Sequence, residues 1–181
     1  MAKISNISAY PNISNLDAAD YLIITDAENN LMTKTCTISA LQSLFGIDTF
    51  VAKVAVTSSQ LSTIFTSPVT LIPNPGAGKV LDIMSVMTSF DAGNAVYDFA
   101  SGNNLLLLAG SSNQYAILTG TLNSATDSVK KLALNVASGS QIDIPSGVPF
   151  TLQANSANPT QGNGLLYLNI SYRVLTIGTT F

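Results

Sequence analysis

The feature that most restricts the fold is a strict two-residue alternation near the C-terminus. Leu166, Leu168, Ile170, Tyr172 and Val174 fall on one side of an extended chain, and Tyr167, Asn169, Ser171 and Arg173 on the other. A helix would scatter these apolar groups around its circumference, so the segment is a strand with one face on a core. Phe150, Leu152 and Ala154 against Thr151, Gln153 and Asn155 repeat the pattern, as do Leu132, Leu134 and Val136 against Lys131 and Asn135. Two earlier runs, Lys79 to Phe90 and Leu105 to Leu108, are apolar on both faces. That predicts cover on both sides, from a second sheet or a neighbouring subunit. About seven to nine such strands, separated by Gly, Asn, Ser and Pro loops, predict a mainly β protein, an antiparallel β-sandwich of jelly-roll type.

The opening of the chain reads differently. Tyr21 to Thr25 and Leu31 to Thr37 are β-rich runs around the polar cluster Asp26 to Asn30, which predicts a hairpin. A short helix is expected next, capped by Thr37 or Ser39, with Leu41, Leu44 and Phe45 on one face and Gly46 as its stop. So short a unit buries too little apolar surface to stand alone, which makes it a docking module, with Tyr21, Ile23, Leu41, Leu44 and Phe45 as candidate attachment residues. The expected organisation is an attachment segment over 1–46, a connector over 47–56 and the sandwich over 57–181.

Composition removes most catalytic chemistry. There is no His, hence no imidazole base, metal ligand or triad partner, and the single Cys36 permits neither an internal disulfide nor a Cys-rich metal cluster. Only 9% of residues are charged, against about 25% in an ordinary domain, so Ser, Thr and Asn supply the polarity around a normal apolar fraction of 46%. Seven basic against ten acidic residues, with Arg173 as the lone Arg, provide no phosphate-binding stripe, and nucleic acid is not an expected partner. Residues 1–15 hold no apolar stretch of signal-peptide length, and no run approaches the roughly 20 residues of a spanning helix, so neither export nor a membrane is expected.

Several strings resemble chemical motifs and fail on inspection. Pro73 to Lys79, PNPGAGK, ends in Gly-Lys, but Pro73 stands where the leading Gly of a phosphate loop belongs and Val80 where its hydroxyl belongs, which leaves a tight turn. Asp26, Glu28 and Asn30 space oxygens like a calcium loop, yet Leu31 replaces the Gly and Thr37 the bidentate Glu. Three Asn-Ile-Ser sequons, at Asn6, Asn12 and Asn169, follow no secretory segment. Asp91 and Asp98 are the one acidic pair placed where a glycan-cleaving site would be held, and turn formation is the favoured reading of both. Tyr97, Phe99 and Tyr115 lie near expected loops. Packing over the end of the sandwich is favoured for them, and presentation to a receptor is the alternative. No cofactor is expected.

Two parts of the chain together resemble a known family. The stretch Val56 to Val80, VTSSQLSTIFTSPVTLIPNPGAGKV, is similar to the start of a β-sandwich domain found in tailed-phage fibre and head-decoration proteins, with its T-S-x-Q-[LI] turn, T-x-P-V-T-L-[IV]-P strand and P-G-x-G-K-V turn. Leu165 to Ile177 resembles that family's last strand, and Leu16 to Phe45 resembles N-terminal adaptor segments of phage fibres. Phe90 to Asn123 has no counterpart. The resemblance implies a non-enzymatic virion protein on the exterior of head or tail, assembled in the host cytoplasm. It further implies a homotrimer that docks through residues 1–46 on capsid, portal or tail components. A head fibre or capsid decoration protein is the first expectation, a tail fibre or receptor-binding protein recognising a host surface glycan or protein the second, and a fibre-borne glycan hydrolase the third.

Overall fold

A computed structural model describes residues 20–26, 32–38, 40–41, 49–100, 102–110, 113–133 and 144–178. The chain divides into two units, Met1–Asp48 and Thr49–Phe181.

In the first unit, β1 (Tyr21–Asp26) pairs antiparallel with β2 (Met32–Thr37), running from Tyr21 opposite Thr37 to Asp26 opposite Met32. Ile38, Ala40 and Leu41 are helical, and the Ala40 N–H donates to Thr37 Oγ1 at 3.1 Å, so of the two expected caps Thr37 serves. Of the expected turn Asp26–Asn30, Asp26 ends β1; residues 27–30, Leu31 of the second expected run, Ser39, Leu44, Phe45 and Gly46 lie outside the described residues.

The described residues of the second unit form an antiparallel sandwich of eight strands. Its strands are β3 (Thr49–Val56), β4 (Val69–Ile72), β5 (Lys79–Asp91), β6 (Leu105–Ala109), β7 (Asn113–Leu118), β8 (Ser128–Leu132), β9 (Phe150–Ala154) and β10 (Leu165–Thr176). One sheet has the order β3-β10-β5-β8 and the other β4-β9-β6-β7. Counted from β3, these are the orders 1-8-3-6 and 2-7-4-5. Four antiparallel pairs are nested, β6–β7 innermost, then β5–β8, β4–β9 and β3–β10, and the pairings β10–β5 and β6–β9 join them into two sheets. One long hairpin wrapped on itself is a jelly roll, with its two Greek keys.

Residues 49–56 are therefore an edge strand of the sandwich and not a connector. Their alternation explains it: Ala52, Val54 and Val56 turn inward opposite Ile170, Leu168 and Leu166. Between β3 and β4, helix α1 (Ser58–Ser62) is fixed by a reciprocal capping box, in which Gln60 Oε1 accepts from the Thr57 N–H at 2.9 Å and Thr57 Oγ1 accepts from the Gln60 N–H at 3.4 Å. This turn drops Leu61 and Ile64 into the core. The string 73–79 is the turn between β4 and β5, with Gly76 and Gly78 at positive φ and Asn74 Oδ1 accepting from the Gly76 N–H at 2.7 Å.

Two of the inward sets read from the sequence fill the space between the sheets; of the third, Leu132 packs on the core and Leu134 and Val136 lie outside the described residues. Leu166, Leu168 and Ile170 are buried, as are Phe150, Leu152 and Ala154. At about 1.5–3 kcal/mol for a large apolar side chain, the first three contribute roughly 5–9 kcal/mol before chain entropy. A register shift between Ser171 and Tyr172 leaves Tyr172 and Val174 packed on the core at partial burial. The expectation of cover on both faces divides. In β6, Leu105 and Leu107 face the core, a register shift between Leu107 and Leu108 buries Leu108 as well, and Leu106 is half-buried. In β5 it does not hold, because Met84 and Met87 remain exposed on the outer side of the β3-β10-β5-β8 sheet.

Candidate functional site

The aromatic trio lies in the interior. Tyr97 is 1% exposed, and its hydroxyl donates to the Gly164 carbonyl at 2.8 Å. Its ring lies over Gly162, where a Cβ would stand 2.2 Å from a ring carbon. Phe99 is buried, with its carbonyl accepting from Asn123 Nδ2 at 2.8 Å. Tyr115, 2% exposed, meets Phe150 edge-on at 5.5 Å. Burial pushes both phenols up to about 12, with the Asp82 carboxylate a second and smaller cause at Tyr115. Presentation of these rings to a receptor is thus overturned. They close the sandwich because each is large enough to plug a loop-covered gap between the sheets.

Asn side chains tie the surrounding loops together. Asn163 Oδ1 accepts from the Asn94 and Ala95 N–H groups at 3.0 and 2.9 Å, Asn158 Oδ1 from Phe65 N–H at 2.7 Å, and Asn103 Nδ2 donates to the Ala157 carbonyl at 2.8 Å. The two carboxylates considered for glycan cleavage belong to the same scaffold. Asp91 Oδ1 accepts from the Gly93 N–H at 3.2 Å, and Asp98 Oδ2 from Thr160 Oγ1 at 3.0 Å. Asp91 thus closes its own turn, whereas Asp98 ties its loop to a segment 62 residues further along the chain. Among the described residues no group of three His, Cys, Asp or Glu could hold a metal, and no helix is long and apolar enough to cross a membrane.

The attachment candidates sit otherwise. Tyr21 and Ile23 are 70% and 73% exposed, on one side of β1, while Leu41 is half-buried. Leu44 and Phe45 lie outside the described residues.

A second exposed surface escapes sequence reasoning. Register places Lys53, Asn169, Met87 and Lys131 side by side across β3, β10, β5 and β8, all pointing outward. The adjacent row is Ala55, Tyr167, Ser89 and Val129. All of these except Lys131, which lies just beyond Met87 on β8, line an open depression of about 370 Å³. Tyr167 is 43% and Val129 69% exposed. At the other end of the face, Arg173 Nε donates to Asp82 Oδ2 at 3.0 Å, so the one Arg is neutralised. The outward positions Tyr167, Asn169 and Lys131 were legible from alternation, but their meeting with Lys53 and Met87 depends on which strands pair.

No family model, curated protein or solved structure matches the chain.

Proposed function

We propose that the chain is a non-enzymatic structural protein of a tailed-phage virion, a homotrimeric head fibre or capsid decoration protein. In this reading it assembles in the host cytoplasm, is held on the particle's exterior through residues 1–46 and displays the jelly roll. One observation carries the reading. None of the described side chains of the first unit is buried, whereas the second unit has an extensive core of its own. A two-stranded hairpin is marginal in water, and one that holds Tyr21 and Ile23 in solvent gains stability by docking. The resemblance of residues 16–45 to fibre adaptor segments supplies the kind of partner.

Self-association is supported by a second apolar patch. Val51 and Met84 each leave about half their surface in solvent on the outer side of one end of the β3-β10-β5-β8 sheet, where Thr49 Oγ1 donates to Met84 Sδ at 3.6 Å, while Phe50, 48% exposed, packs on Tyr172 on the inner side at 5.6 Å. Low charge lets identical subunits approach without strong repulsion. A tail-fibre or receptor-binding role is the second reading, favoured by the open depression on the same sheet.

The test removes Met1–Asp48. The remaining protein should melt cooperatively and fail to bind particles, and antibody labelling should place the full chain on the head. A truncated form that still decorates particles defeats the attachment role, and label confined to the tail tip selects the second reading. Light scattering should give three times the 18.9 kDa chain mass, and a stable single-chain species at micromolar concentration would remove the trimer.

A further inference from the structure

We infer that the depression on the outer face of the β3-β10-β5-β8 sheet is a binding site for a short acidic glycan, one bearing carboxylated sugars. This inference does not rest on attachment to a virion.

Charge is the first argument. Lys53 and Lys131 occupy the two ends of one row, three strand spacings or about 14 Å apart, and neither ammonium has a carboxylate partner among the described residues. The Asp82 carboxylate at the far end of the face is already engaged by Arg173. The rim of the depression is consequently positive, although the chain as a whole carries a net charge of -3. A second copy offering the same face would set lysines against lysines, which disfavours self-association here.

Lining chemistry is the second argument. Between the lysines the floor is apolar, made by Met87, Ala55 and Val129, and the Tyr167 ring stands exposed beside it. The side chains of Asn169 and Ser89 point into the same space with no hydrogen-bond partner in the described chain. A pyranose ring matches this set. Its C–H face lies on an aromatic or aliphatic surface, its hydroxyls pair with an amide and a hydroxyl, and its carboxylate meets an ammonium group.

Size separates a glycan from a protein. Two rows across four strands cover on the order of 200 Å², well short of the roughly 800 Å² per partner of a stable protein interface. A volume of about 370 Å³ lies within the range of small-ligand sites, about 300–1,000 Å³.

The experiment titrates the full-length protein, labelled with ¹⁵N, with trigalacturonate, and in parallel with neutral maltotriose, sodium acetate and sodium sulfate. Trigalacturonate should shift the amide signals of residues 53–55, 87–89, 129–131 and 167–169. Its affinity should fall with added salt. Tyr167→Ala should weaken binding by about tenfold, as expected for loss of one ring contact. Lys53→Glu and Lys131→Glu should each weaken it by about fivefold, as expected for an exposed charge pair. All three positions are exposed and lie on three different strands, so each variant checks the others against a folding defect. Unmoved signals at millimolar trigalacturonate overturn the site. Equal binding of maltotriose overturns the role of the lysines, and the same shifts with acetate or sulfate reduce the site to an adventitious ion only. Failure of any of these leaves the particle-binding test of residues 1–48 untouched.

Discussion

The two units solve the same problem, hiding apolar side chains, in opposite ways. In the jelly roll, Leu105, Leu107, Phe150, Leu152 and Leu166 are fully enclosed between sheets whose strands come from all along residues 49–178. In the hairpin, Tyr21, Leu22 and Ile23 are equally apolar and equally β-forming, yet stay exposed, because among the described residues the two strands have no second layer to close over them. Strand-forming sequence and a core are separate requirements, and only the second unit meets both. The first unit's apolar side chains are then the part of the molecule left for another surface.

The contrast breaks most sharply if a core residue is removed. Phe150→Ala should lower unfolding stability by about 3–5 kcal/mol in denaturant titrations, since the ring is fully buried against Tyr115. Gly162→Ala comes next, at about 2–3 kcal/mol, because φ is +126° and the new Cβ would collide with the Tyr97 ring. A Tyr97→Leu change that costs clearly less in the Gly162→Ala background than in the wild-type protein would confirm that collision as a cause.

The two buried phenols sharpen the picture further. Tyr97→Phe removes the bond to the Gly164 carbonyl and should cost about 1 kcal/mol, whereas Tyr115→Phe removes a buried hydroxyl that has no partner and should be neutral or stabilising. Their titration sets a pH limit. Both phenols lie at about 12 in the folded protein against 10.0 when unfolded, so the unfolded state loses its protons first. Stability is therefore full below pH 10 and should fall between pH 10 and 12 in thermal melts, with a smaller fall in the double Phe variant.

Smallest of all should be Tyr21→Ser with Ile23→Ser, within about 0.5 kcal/mol for the jelly-roll transition, because neither side chain is buried. The same double variant should lose particle binding. A large drop in stability would show that these residues already support the fold and would undercut the docking role.

Much of the fold was legible because β-strands advertise their faces. The inward sets of β9 and β10, the turn at 73–79 and the Thr37 cap follow from alternation, glycine placement and hydroxyl capping, which act within a few residues. The misread elements share a cause. Thr49–Val56 passed for a connector because its partner, Leu166–Arg173, is more than a hundred residues away in the chain. Tyr97 and Phe99 do lie in a loop and Tyr115 in strand β7, but whether a loop side chain points out or folds under depends on the loops opposite, here those held by Asn163, Asn123 and Gly162.

The sequence by itself determined the class of structure, a β-sandwich with a separate hairpin, and the absence of imidazole chemistry, since both depend only on residue type and near neighbours. Tertiary structure alone decided the rows across the outer sheet. Lys53, Asn169, Met87 and Lys131 become neighbours through hydrogen bonding between four strands drawn from distant parts of the chain. A one-residue slip in any pairing would turn that strand's outward set toward the core.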